Sequence, residues 1–260
     1  MLQNEEFIEQ FKKSLSATVK SIGKSDLIEI NFVADSPSID GHIINLIEPN
    51  LKNIKENLNY IRAEADTMAL KVRFHKKNIH EKYLSQNDIS NDIFNAFEQS
   101  RIETQGSDKF KGIKSNIFNK HELDLQNKDI SKNHSKEIIN AFRYVSYSEF
   151  TGKKLGEKFN QFKKIIQNQL GSKYTEFFLN LKNNIANQEN FADQLQSILK
   201  ELGYFDYRLK NDDTNNSENE NKSKDEDAAN QDNPSNDQDK GLDQDFDKDD
   251  STPDSQLSVS

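Results

Sequence analysis

Residues 51–72 read LKNIKENLNYIRAEADTMALKV, and their pattern decides the fold. Leu51, Ile54, Leu58, Ile61, Ala65, Met68 and Val72 recur at alternating spacings of three and four. That is the period of one narrow helical face, held for about six turns. Such a seam suits a coiled-coil interface or a helix turned toward the core of a bundle. The bundle reading is preferred, because the seam runs into His75 and Asn78 instead of continuing.

Upstream, Phe7, Ile8, Phe11, Leu15 and Val19 predict a helix from Asn4 to Ile22, ended by Gly23. Ile28, Ile30 and Phe32 then alternate with Glu29 and Asn31, a strand pattern. After a turn-rich loop (Ala34 to Gly41), residues 42–47 read as its antiparallel partner, closed by Pro49. An isolated hairpin is marginal in water, so this one must pack on helices. Downstream, Ile89, Ile93, Phe94 and Phe97 mark a helix from Asp88 to about Gln105. Gly106 and Asp108 are expected to interrupt it before Phe110–Phe118 resumes a helix. Residues 119–133 read as a polar loop with Leu123 and Leu125 docked, and further helices are expected at about 134–150, 155–170, 174–186 and 188–202. Tyr204, Phe205 and Tyr207 form a closing aromatic anchor. The predicted class is mainly α: a helical, bundle-like body with one small antiparallel β-hairpin at about 27–47.

From Asn211 to Ser260 the chain carries 16 acidic residues against 4 lysines, whereas residues 1–210 carry 31 basic and 28 acidic residues. Leu242, Phe246, Leu257 and Val259 are too few to offset the entropy of ordering such a segment. Two regions are therefore expected, a helical domain over 1–207 and a disordered acidic linker or tail over 208–260. The absence of cysteine excludes disulfides, thiolate nucleophiles and Cys-based zinc sites. The first residues, MLQNEEFIEQ, are acidic where a signal peptide needs a basic start. No stretch approaches the ~18–20 apolar residues of a membrane span, so a soluble, cytoplasmic protein is expected. Neither GxxxxGK[ST] nor GxGxxG occurs, so neither familiar phosphate loop is present. Basic residues are spread without aromatic interleaving, which argues against nucleic acid as partner, and no basic amphipathic helix points to a membrane.

Few residues offer chemistry. His75 and His80 are five apart, about 140° around a helix, too far to share a ligand face. A break at Lys76-Lys77-Asn78 would bring them together beside Glu81. The plainer reading is helix-end histidines, so no metal, catalytic or cofactor-binding residue is assigned. His42, His121 and His134 carry no signal. What remains is charge embedded in apolar helices: Arg62, Glu64 and Asp66, then Glu98, Gln99, Arg101 and Glu103. Glu98 and Arg101, three apart, can pair on one helical face. Exposed, the pair is worth about 0.3–0.5 kcal/mol; buried, loss of one member costs about 3–5 kcal/mol. Glu98, Arg101, Glu103 and Asp66 are the candidates for partner contact. Joint replacement of Glu98 and Arg101 by alanine is expected to weaken docking with the fold intact.

The runs ADTMALKVRFH (65–75) and FNAFEQSRIE (94–103), then Gly106 and GIKSN (112–116), resemble the N-terminal region of the CobT family of cobaltochelatase subunits. The likeness begins near FKKSLSATVKSI (11–22), includes Asp35-Ser-Pro37, and extends less clearly to Gly203, with an acidic linker following as in that family. The resemblance implies a subunit of an ATP-dependent chelatase that inserts Co2+ into hydrogenobyrinic acid a,c-diamide during cobalamin synthesis. It implies an AAA+ ATPase partner (CobS-like) and a large chelatase partner (CobN-like). ATP, Mg2+ and Co2+ would be used by the complex and none bound by this chain, which alone is expected to be non-catalytic. The family also has a C-terminal von Willebrand A-like domain with an Asp-x-Ser-x-Ser motif. Asp254-Ser-Gln-Leu-Ser does not fit that motif, so the domain is expected to be absent here. The alternative is a non-catalytic adaptor of an AAA+ ATPase that acts on a substrate other than a corrin.

Overall fold

The apolar stripe from Phe7 to Val19 becomes α1 (Leu2–Gly23) in the computed structural model, which describes residues 2–128 and 134–204. Leu15, Val19 and Ile22 are buried, while Phe7 at the outer end stays half exposed. Gly23 ends the helix where a Cβ would lie 2.6 Å from Ile28 Cδ1, so the chain turns tightly into the sheet.

The strand pattern gives β1 (Glu29–Val33) and β3 (Ile43–Ile47), but the expected antiparallel hairpin is corrected. These strands pair in parallel, Glu29 opposite Ile43 through Val33 opposite Ile47. Between them along the chain comes β2 (Ser38–Asp40), in a segment expected to be loop, which pairs antiparallel with β3. The order is β1-β3-β2. Alternation reports which face a strand buries and is silent on its direction. The two-residue turn Gly41-His42, with Gly41 at φ +54°, reverses the chain from β2 into β3, which slots between the other two strands. Ile44 and Leu46 of the central strand face the core. On the opposite face Asn31 Nδ2 donates to Asn45 Oδ1 (3.3 Å), and Asn45 Nδ2 donates to Ser38 Oγ (2.9 Å), a polar rung across all three strands.

The seam forms α2 (Leu51–Phe74), opened by a reciprocal cap in which Asn53 N donates to Asn50 Oδ1 (2.9 Å) and Asn50 N donates to Asn53 Oδ1 (2.7 Å). It bends at Asn57, whose φ/ψ of −135°/32° is not helical. Of the seam residues Ile54 and Ala65 are buried and the others half-buried; the helix also buries Ala63, Asp66, Ala69 and Leu70, and it packs on α1 and on two helices described next. It is thus a core helix of a bundle. A short helix, α3 (Lys77–Lys82), follows a break at His75-Lys76. Then come α4 (Asp88–Lys109), α5 (Lys111–Asn127), α6 (His134–Thr151), α7 (Phe159–Leu170), α8 (Tyr174–Asn183) and α9 (Gln188–Glu201). Asn87 and Asn187 cap α4 and α9 by accepting from Ser90 N and Asn190 N.

Four boundaries differ from the sequence expectation, the simplest being that the helix expected over 174–186 ends at Asn183. Gly106 does not interrupt α4; a Cβ there would collide with Leu70, so glycine lets α4 press against α2. Residues 119–127 continue α5 as helix, because His121 and Leu125 share its buried face with Ile113 and Ile117. Residues 155–158 precede α7 instead of opening it, with Gly156 N donating to Glu122 Oε1 (2.7 Å).

The middle of the body is α4 against α6. Phe97 on α4 meets Phe142 (5.3 Å between centroids) and Phe150 (6.4 Å) of α6, and Phe177 (5.6 Å) and Phe178 (6.3 Å) of α8. Among the described residues no helix is long and apolar enough to cross a membrane. The expected acidic tail, and Phe205 and Tyr207 of the anchor, lie outside the described residues, as do residues 129–133 of the expected loop.

Candidate functional site

Helix α4 is buried around much of its girth: Ser100, Arg101 and Thr104 share the face of Phe97, Glu98 and Glu103 lie on its two flanks, and all five are buried. Because the helix is packed on several flanks, its charges face neighbouring helices instead of water. They fall into two groups.

The first centres on Arg101, 1% exposed. Its Nε donates to Glu98 Oε2 (2.7 Å) and its Nη2 to Glu98 Oε1 (2.8 Å), a two-pronged clamp. Its remaining donors reach Phe74 O (2.7 Å) and Ile185 O (3.1 Å), so one guanidinium ties the end of α2 and the α8–α9 connection to α4. Glu98 also receives His75 Nδ1 at 2.8 Å. Burial alone would push the Glu98 carboxyl pKa up, but donation from Arg101 and His75 outweighs it and holds the group below its ordinary value. Nearby, Gln188 bonds both the N and the O of Lys76 (2.8 and 3.1 Å), and Tyr83 OH donates to Asp193 Oδ1 (2.6 Å), which fastens α3 to α9.

The second group is built on Glu103, 3% exposed. His121 Nε2 of α5 lies 2.9 Å from its Oε2, and Arg143 Nη2 of α6 donates to its Oε1 at 2.5 Å. Arg143 Nη1 also donates to Ser100 Oγ (2.8 Å), which accepts from Ser146 Oγ (2.7 Å). Burial would raise the Glu103 pKa, yet the charge of Arg143 and the imidazole of His121 drive it well below the carboxylate range. Burial lowers the pKa of His121, against the pull of Glu103.

Two open clefts mark the surface, and the second is lined by His75 and Glu98 of the first group. One, of about 650 Å³, lies between α1, α2 and α5, with Phe11, Thr18, Arg62, Asp66 and Asn116 among its walls. Asp66 is 4% exposed and accepts from Asn116 Nδ2 at 2.8 Å. Burial pushes its carboxyl up to about 6, against the pull of Asn116 and Arg62. A carboxyl raised in the fold from 3.8 to about 6 destabilises the native state once both states are ionised, by about 3 kcal/mol at most. Asp66→Asn is therefore expected to stabilise the protein at pH 7.5 by about 1–3 kcal/mol. The gain should fade as pH falls through 6 toward 3.8. Urea unfolding of both proteins at pH 7.5 and 4 measures it, and an unchanged difference between the two pH values would contradict it.

The other cleft, of about 690 Å³, is bounded by the β2–β3 turn, the end of α2, α3 and α4, and His42, His75, His80 and Glu98 line it. The chain does break between His75 and His80, and their rings approach to 4.8 Å between centroids. His80 Nε2 lies 2.9 Å from Asn95 Oδ1. Burial, and the neighbouring His75, lower the pKa of His80. Among the described residues no set of three His, Cys, Asp or Glu is placed to hold a metal ion.

Of the residues singled out from sequence, Glu98 and Asp66 line clefts, whereas Arg101 and Glu103 point inward. Changing Glu98 and Arg101 together is thus a stability change before it is a docking change. His121, Arg143, Ser100 and Ser146 were not identified from sequence; the one available signal was the continuation of α5 through a polar stretch. A family model described as cobalamin biosynthesis protein CobT matches residues 5–259. No solved structure matches the chain.

Proposed function

This chain belongs to the CobT family of cobalamin biosynthesis proteins, and on that premise we propose that it is a non-catalytic accessory subunit of an ATP-dependent cobaltochelatase. The complex would insert Co2+ into hydrogenobyrinic acid a,c-diamide, with Co2+ as a substrate. An AAA+ subunit (CobS-like) would handle ATP and Mg2+, and a large subunit (CobN-like) would hold the corrin ring. The observation that carries this reading is the family match, which runs through the helical body and the acidic segment alike. The body's chemistry supports it. Arg101 is spent on Glu98 and two carbonyls, and Arg143 on Glu103 and Ser100, so these charges brace the helices as a docking module requires.

The test is reconstitution of the full chain with the ATPase and large subunits from the same genome. Cobalt insertion is expected with all three present and not when this chain is omitted. The chain alone is expected neither to hydrolyse ATP nor to insert cobalt. Turnover by the chain alone, or undiminished insertion without it, would overturn the proposal.

A further inference from the structure

The cleft between the β2–β3 turn, α3 and α4 holds a pair of histidines that the subunit role does not use. The break after Phe74 turns the chain so that His75 and His80 sit with rings 4.8 Å apart at 63°. Each ring has one nitrogen committed to an oxygen that can only accept. His75 Nδ1 faces Glu98 Oε1 at 2.8 Å, and His80 Nε2 faces Asn95 Oδ1 at 2.9 Å. These bonds set the tautomers, with the proton on Nδ1 of His75 and on Nε2 of His80. The lone pairs are left on His75 Nε2 and His80 Nδ1. The second of these is buried without a hydrogen-bond partner. An orphaned buried acceptor is rare in folded proteins.

We propose that His75 Nε2 and His80 Nδ1 form a two-ligand site for a divalent first-row transition ion such as Zn2+ or Cu2+. An imidazole that gives its other N–H to a carboxylate or amide oxygen is the usual orientation of a metal-binding histidine. Here Glu98 is in turn clamped by Arg101, so His75 is held by two successive layers of hydrogen bonds. Coordination would occupy the His80 Nδ1 lone pair that no hydrogen bond serves. With no third His, Asp or Glu converging among the described residues, the protein supplies only two ligands. The remaining positions open to the cleft, where water or a small ligand's donor atom completes the shell. This inference rests on the two rings and their partners, not on the subunit role above, and it can fail alone.

The experiment is calorimetric titration of the tag-free full chain with Zn2+ in excess Mg2+, and electron paramagnetic resonance of the Cu2+-loaded chain. One saturable equivalent is expected, with nitrogen hyperfine structure from two imidazoles. His75→Ala and His80→Ala should each weaken binding by at least about tenfold, and Asn95→Leu, which keeps both ligands, by about tenfold. His42→Ala, on the turn across the cleft, should leave binding unchanged. Circular dichroism checks the fold of each variant, and the two-nitrogen signature of the unmodified chain reads the site without any substitution. Absence of a saturable equivalent, a spectrum without two imidazole nitrogens, or binding indifferent to both His75 and His80 would each overturn the proposal.

Discussion

Arg101→Met is expected to cost about 3–5 kcal/mol of folding stability, a large share of the ~5–15 kcal/mol that holds a typical domain together. The side chain is 1% exposed, and four of its donors serve one carboxylate and two backbone carbonyls. Methionine fills similar volume but leaves Glu98 as a buried charge and removes the donor to Phe74 O. Ile185 O keeps a second donor, Gln105 Nε2 at 2.9 Å, so the damage concentrates on Glu98 and the end of α2. Urea unfolding followed by circular dichroism measures the cost. Glu98→Gln with Arg101→Met, which removes both charges, should be less damaging than the sum of the single changes. A single-variant loss below about 1 kcal/mol, the value of an exposed pair, would show that the clamp is solvated.

Glu103→Gln should cost a comparable ~3–5 kcal/mol at pH 7, because it leaves Arg143 and His121 around a neutral acceptor. The pH dependence makes this prediction specific. Glu103 has a folded-state pKa far below its ordinary 4.5, so it stabilises the fold fully above the unfolded value and loses that contribution as pH falls below 4.5. The gap between parent and variant should therefore be widest near neutrality and close as the solution is acidified below 4.5. His121, whose pKa is lowered in the fold, adds a loss that begins as pH drops below 6.5. Asp66 acts in the opposite sense, since its raised pKa adds stability as pH falls from about 6 to 3.8. An Asp66→Asn background should then show a steeper acid limb than the parent. A gap that stays constant from pH 7 to 3 would mean that Glu103 is not ionised in the fold.

The helical class of the body was legible from spacing, because a helix that buries one face must repeat apolar residues at three and four. The seam at 51–72, the stripe of α1 and the run from Phe191 to Leu199 all became helices on those grounds. Strand direction was not legible, since period-2 alternation is the same for parallel and antiparallel pairing. Gly106 misled for a related reason. Glycine's backbone freedom is a local property, but here its missing Cβ serves a contact with Leu70, 36 residues earlier.

Residue order alone carries the mainly helical body, the charge contrast between residues 1–210 and 211–260, and the resemblance to the CobT family that the match over 5–259 bears out. It also singled out Glu98, Arg101, Glu103 and Asp66 as charges on apolar helices. What those charges do depends on how the helices pack. An i,i+3 spacing states that Glu98 and Arg101 can meet, but the worth of the pair depends on how much water surrounds it. That is set by α2, α6 and the α8–α9 connection closing over α4. His121 and Arg143 became partners of Glu103, and His75 a neighbour of His80, by the same closure, which brings together residues that no periodicity along the chain relates.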